Sequence, residues 1–170
     1  MKIKHLLSAT LTAAMLLGLA AAPIYANSQA TDRTDREFLE QEERCLALNI
    51  YYEARSSNLA DKAAVADVVI NRTLDRRYPA TICGVVHDGY KEGRRDCQFS
   101  WYCDGKPDRP QNADAWYEAQ TIAYDMLTYS KYRGITEGAT HYHATYVNPR
   151  WASSLQMVGR IGEHIYYRWE

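Results

Sequence analysis

Cys45-Leu46-Ala47-Leu48-Asn49-Ile50-Tyr51-Tyr52-Glu53-Ala54-Arg55 is the stretch that decides the fold class. Its apolar residues recur at helical spacing, notably Cys45, Leu48 and Tyr52, so it reads as the end of a helix over residues 37–54 with Glu53 near the C-terminus. Ser56-Ser57-Asn58 breaks that helix. Asn58, followed three residues later by Asp61, has the pattern of an N-cap with an acid in the first turn. A second helix is therefore expected over residues 59–74, burying Ala64, Val65, Val68 and Val69.

Downstream, residues 75–108 are rich in glycine, proline and charge and read as turns and loops with short structured pieces. Asn112 is placed to cap a third helix over residues 113–132, with Trp116, Ala119, Ile122, Ala123 and Met126 inward and Gly134 just past its end. The period then changes to two. Thr140-His141-Tyr142-His143-Ala144-Thr145-Tyr146-Val147 is aromatic and β-branched and stops at Asn148-Pro149, which reads as a strand. Residues 163–168 are expected to pair with it across a connection carrying Trp151 and Gly159. The expected fold class is α+β, mainly helical with a small antiparallel β-sheet.

Working toward the N-terminus, Met1-Lys2-Ile3-Lys4-His5 precedes an apolar run over residues 6–22 and the small residues around Ala26. That is the pattern of a secretory signal peptide over residues 1–26, with no stable membrane insertion after its removal. Residues 27–36 are polar and read as a disordered leader, leaving 37–170 as one domain. The formal charge is −1, and losing Lys2 and Lys4 with the signal peptide makes it −3. Without a basic stripe, nucleic acid is excluded as a partner. The cysteines Cys45, Cys83, Cys97 and Cys103 are an even set in an exported chain, so disulfides are expected, with Cys97–Cys103 and Cys45–Cys83 preferred among the three possible pairings.

Asn49-Ile50-Tyr51-Tyr52-Glu53-Ala54-Arg55, Ala64-Val65-Ala66, Val69-Ile70-Asn71-Arg72, Cys83-Gly84-Val85-Val86, Gln98-Phe99-Ser100, Gly138-Ala139-Thr140-His141-Tyr142-His143 and Ile161-Gly162-Glu163-His164-Ile165-Tyr166 occur in that order. Together, over residues 43–168, they resemble the cell-wall hydrolase family that includes the catalytic domain of spore cortex-lytic enzymes. The resemblance implies a lysozyme-like fold, action on peptidoglycan outside the cytoplasm (periplasm or cell surface), and Glu53 as catalytic acid. The chemistry it implies is lytic transglycosylation between N-acetylmuramic acid and N-acetylglucosamine, with no cofactor and no metal. The chain departs from the spore proteins in its Cys97 to Cys103 loop and in having no appended peptidoglycan-binding domain.

The residues support the same reading independently. A general acid must stay protonated near neutral pH, and Ile50, Tyr51, Tyr52 and Ala54 offer Glu53 the apolar setting that achieves this. A glycoside hydrolase of the ordinary kind needs a second carboxylate, about 5 Å away as nucleophile or roughly 6.5–9.5 Å away to activate water. Asp88, Asp96 and Asp104 lie in loops and read as turn-forming or solvated. A transglycosylase does not need that second acid, because Glu53 can recover its proton from the sugar's own 6-hydroxyl. Gln98 and Ser100 alternate with Phe99, which suits a sugar-binding rim with an apolar anchor. Tyr142 and Tyr146 on one strand face, with Trp151, are candidates for stacking on sugar rings, and Asn148 for bonding an N-acetyl group. Two alternatives belong to other classes. His141, His143 and His164 with a carboxylate would make a zinc site for an amidase that frees the stem peptide, and a chain without chemistry would be a peptidoglycan-binding module.

Overall fold

A computed structural model describes residues 22–92 and 96–170. Its elements are α1 (Ala22–Ala54), α2 (Leu59–Thr73), α3 (Ile82–Val86), α4 (Ala113–Tyr129), β1 (His141–Ala144), β2 (Gln156–Ile161) and β3 (His164–Arg168), with 3-10 turns at Ser100–Cys103 and Arg150–Ser154. The chain divides into a unit up to Phe38 and a unit from Leu39 to Glu170. The expected signal peptide lies outside the described residues as far as residue 21. Residues 27–36, read from the sequence as a disordered leader, are helical here and belong to α1. Asp32 and Arg36, one turn apart, pair at 3.0 Å there, a contact that only helical spacing supplies. Among the described residues no helix is long and apolar enough to cross a membrane.

In the larger unit, α2 is the organising element. Asn58 accepts from the Asp61 amide as its N-cap, and Ala63, Ala64, Val65, Ala66, Val68 and Val69 are all fully buried. A helix apolar on every side belongs inside a protein. Ala66 and Val69 join Leu46, Ile50, Val85, Ile122 and Met126 in a core among the four helices. Ala64 and Val68 pack against Ala139 and Tyr166, under the sheet. Small side chains on α2 let both layers approach closely.

Two buried acids on α2 each organise a loop. Asp67 accepts from the Gly134 amide at 3.1 Å and from the Thr136 amide and hydroxyl at 3.1 and 2.6 Å, and pairs with Arg133. This explains why α4 stops at Tyr129, short of the expected residue 132. Ser130 turns the backbone left-handed at φ 54°, and the following residues are delivered to Asp67. Asp61 holds the turn between β2 and β3. It accepts from the Glu163 amide at 3.0 Å, the Tyr166 hydroxyl at 2.8 Å and His164 Nδ1 at 2.9 Å. A Cβ on Gly162, whose φ is +56°, would stand 2.6 Å from the Asp61 Cβ, so the turn needs glycine on both counts.

Among the described residues the sheet has the order β1-β3-β2, all antiparallel. The pairing of β1 with β3 was expected. Strand β2 was not, because Gly159 and a register shift between Met157 and Gly159 interrupt the alternation that marks a strand. β1 ends at Ala144, so Tyr146 falls in a turn, 86% exposed, and does not share a strand face with Tyr142.

Helix α1 is fixed at both ends of its buried stretch. Cys45 is disulfide-bonded to Cys83, and Cys97 to Cys103, the two preferred pairings. Glu42 receives the Ile82 and Cys83 amides at the start of α3. One turn from the C-terminus, the Tyr51 hydroxyl accepts from the Gln111 and Asn112 amides at 3.0 and 3.1 Å, tying α1 to the entry of α4.

Candidate active site

Glu53 is the penultimate residue of α1 and is partly buried. The Tyr142 hydroxyl donates to its Oε2 at 3.1 Å. Tyr142 is set by the sheet: it pairs with Tyr166 across β1 and β3, with ring centroids 5.7 Å apart, and meets the His164 ring edge-on at 5.1 Å. The Asp61 anchor on His164 and Tyr166 therefore also fixes the floor on which Tyr142 rests.

Burial raises the Glu53 carboxyl above its ordinary value. The Tyr142 hydrogen bond and the neighbouring His164 and Arg72 pull it down without cancelling that effect. Burial, with the Glu53 charge, also raises Tyr142 well above its ordinary value, so the phenol stays a donor across the neutral range. Replacing Tyr142 with phenylalanine removes a bond that favours the carboxylate. The Glu53 pKa is expected to rise further in that variant, seen as an alkaline shift of the Glu53 carboxyl titration by NMR; no shift, or an acid shift, would show that the bond does not bear on Glu53.

Tyr142 also lines a cleft of about 460 Å³ with Arg72, Gln98, His141, His143 and Trp151. Arg72 is its buried cation. Its Nε donates to the Thr140 carbonyl at 2.8 Å, and its guanidinium lies over the Phe99 ring at 5.5 Å and the Tyr78 ring at 5.3 Å. With the Gln98 amide oxygen turned toward it, Arg72 donates through Nη1 and Nη2 at 3.1 and 3.2 Å. Trp151 sits 5.3 Å from the His141 ring and 5.6 Å from the His143 ring. Burial, with Arg72 and Arg77 nearby, pushes His141 down to about 4, so it is neutral at pH 7.

The expected site residues thus separate into groups. Gln98, Tyr142 and Trp151 meet in one cleft, and Glu53 joins them through Tyr142. Phe99 is buried beneath Arg72 while Gln98 and Ser100 are exposed, the alternation expected of that segment. Ser100 and Asn148 do not line the cleft, although Val147 and Pro149 on either side of Asn148 do. Arg72 and Asp61 were not singled out as site residues, and His164 was considered only as a ligand of the zinc alternative. The available signal was a charged residue on each end of a helix otherwise fit only for burial.

The three histidines do not converge. His141 and His143 project from one face of β1, while His164 pairs opposite Ala144 and so projects from the other face, with Tyr142. His143 is engaged by the Tyr167 hydroxyl at 3.0 Å and His164 by Asp61. The zinc triad of the amidase alternative is therefore split by the sheet.

A second cleft of about 450 Å³ lies beside the same end of α1, lined by Tyr52, Arg55, Trp101 and the segment from Asp104 to Gln111.

A family of cell wall hydrolases matches residues 56–167, a span that begins three residues after Glu53. Among solved structures, the catalytic domain of the germination-specific lytic transglycosylase SleB from Bacillus anthracis is similar at 22% identity and a TM-score of 0.58, covering 75% of this chain and 93% of that one. The catalytic domain of the Bacillus cereus SleB protein is similar at 22% identity and a TM-score of 0.54, covering 75% and 91%. These likenesses show a shared fold. No curated protein matches the chain significantly.

Proposed function

The chain belongs to the cell wall hydrolase family, and from that premise we propose that it is a lytic transglycosylase cleaving peptidoglycan between N-acetylmuramic acid and N-acetylglucosamine. The observation that carries the proposal is the Glu53 carboxyl, raised by burial and bonded to Tyr142, which itself lines a cleft. Tyr142 occupies Oε2, which leaves Oε1 to carry the transferable proton. Glu53 gives that proton to the glycosidic oxygen as the muramic acid C1–O bond breaks. As a carboxylate it then takes the proton of the same sugar's 6-hydroxyl, whose oxygen closes on C1 to form the 1,6-anhydro ring. No water is consumed, and the acid ends as it began.

The lining of the Tyr142 cleft supports this chemistry, since among its described residues none is a carboxylate that could activate water. Asp104 and Asp108 line the other cleft. The family's name and the two SleB likenesses support the substrate. The leader sequence and the two disulfides support export to the periplasm or cell surface. Mass spectrometry of the soluble products from digested peptidoglycan tests the reading. Anhydro-muropeptides are expected; reducing ends would indicate the muramidase, and free stem peptides would overturn glycan cleavage altogether.

A further inference from the structure

The second cleft has a composition that the chemistry at Glu53 does not use. Its inner side is aromatic, with Tyr52 stacked on Trp101 at 4.7 Å and 19°. Its rim carries Arg55, Lys106 and Arg109 as cations and Asp104 and Asp108 as anions. Lys106 is committed to Asp104 at 3.3 Å. Arg55 lies over the Tyr51 ring at 5.6 Å and donates to its hydroxyl at 3.5 Å, and among the described residues no ion pair engages Arg55 or Arg109. Burial, together with Asp104, raises the Asp108 carboxyl, so a cation beside it would relieve an unfavourable position. A ligand for this cleft therefore carries a carboxylate and an amine on one short chain.

Position narrows the choice. Tyr52, in the last turn of α1, and Arg55, just past its end, stand on either side of Glu53 in the chain, so the cleft begins within a few residues of the acid. Granting the proposed reaction, the sugar whose C1–O bond breaks beside Glu53 is muramic acid, and that sugar bears the stem peptide through its lactyl ether. The peptide must leave the glycan next to the acid, and it presents free carboxylates and, in strands built on a diamino acid, one free amine.

The geometry points to this cleft as the subsite for the stem peptide of the muramic acid being cleaved, with Arg55 and Arg109 receiving a carboxylate and Asp108 the amine. The inference rests on the glycan-cleaving reading above. It makes peptide-bearing strands the substrate class and sets this cleft, not the Tyr142 cleft, as the one that senses the peptide. The loop that supplies Arg109 follows directly on the Cys97–Cys103 disulfide, so the bond limits the freedom of the subsite's outer wall.

The test compares kcat/KM on peptide-bearing glycan strands with kcat/KM on the same strands stripped of peptide by an amidase. The native protein is expected to favour peptide-bearing strands about tenfold or more, the worth of one charge-assisted bond. Arg109→Ala is expected to abolish that ratio and Arg109→Lys to restore part of it. Arg109 is exposed, so its loss leaves the fold intact. Equal rates on both substrates, or a ratio unchanged in Arg109→Ala, overturn the inference. If neither substrate is cleaved, the transglycosylase reading fails on its own. Titration of the free stem tetrapeptide, followed by the Trp101 indole signal, then decides the cleft: saturable binding lost in Arg109→Ala upholds it, and no binding overturns it.

Discussion

Glu53→Gln is expected to lower kcat on peptidoglycan roughly a thousandfold while the protein stays folded. General acid or base participation is worth about 10²–10⁴-fold, and one carboxyl serves both halves of the proposed cycle, so its loss falls on each. The amide keeps the shape, and its carbonyl oxygen can still accept from the Tyr142 hydroxyl that now donates to Glu53. It cannot supply the proton. Because burial raises the carboxyl, its ionised form is a cost to the fold at neutral pH, and the neutral amide removes that cost. The variant is therefore expected to melt at or above the temperature of the native protein, a separation of activity from stability typical of catalytic positions. The same direction fixes the pH dependence. The acid works protonated, so activity falls as pH rises through the elevated Glu53 pKa, and that alkaline limb is the one Tyr142→Phe moves upward. A Glu53→Gln protein that keeps a tenth of its activity would remove Glu53 from the mechanism.

The second large effect is on stability. Asp61→Ala is expected to cost roughly 3–5 kcal/mol, a large share of the 5–15 kcal/mol that holds an ordinary domain together. Asp61 is fully buried and accepts from the Glu163 amide, His164 and the Tyr166 hydroxyl. Removing the acceptor strands the His164 and Tyr166 donors where water cannot reach them and leaves a hole beside Gly162. Asp61→Asn keeps the volume and one acceptor oxygen and is expected to cost less than half as much. Burial pushes the Asp61 carboxyl up, but the bonds from His164, the Glu163 amide and Tyr166 outweigh it and hold it below the ordinary value. The contribution of Asp61 is therefore complete above pH about 4, where an unfolded aspartate is ionised, and drains away as pH falls through its lower folded value. Chemical denaturation at pH 7 and at pH 3 measures both. A native-like midpoint for Asp61→Ala would show that the hairpin does not depend on this anchor.

Local signals carried much of the fold. Asn58 and Asn112 act as caps at the positions their spacing indicates, and the apolar run of α2 lies where periodicity places it. What escaped was long-range. Asp61 and Asp67 look in the sequence like solvated charges on a helix, and only the tertiary structure reveals that each satisfies a loop from the far end of the chain. Strand β2 is an interrupted edge strand whose existence depends on β3 beside it. The site was legible in the same measure. Gln98, Tyr142 and Trp151 are brought together, whereas Arg72 could not be recognised, because its role is defined by Gln98, Phe99 and Thr140, residues far from it in the chain. The histidines could not be settled for a related reason: two strands' worth of alternation says which residues share a face only once the register is known.

The place where α1 stops has a consequence in electrostatic terms. The peptide dipoles of a helix align, and its last turn, with carbonyls lacking partners, presents a partial negative charge worth about 0.3–1 kcal/mol against a nearby anion. Glu53 lies in that last turn. The field of the helix therefore acts on the acid in the same sense as burial and favours retention of its proton. A carboxyl at the opposite end of the same helix would be driven to ionise.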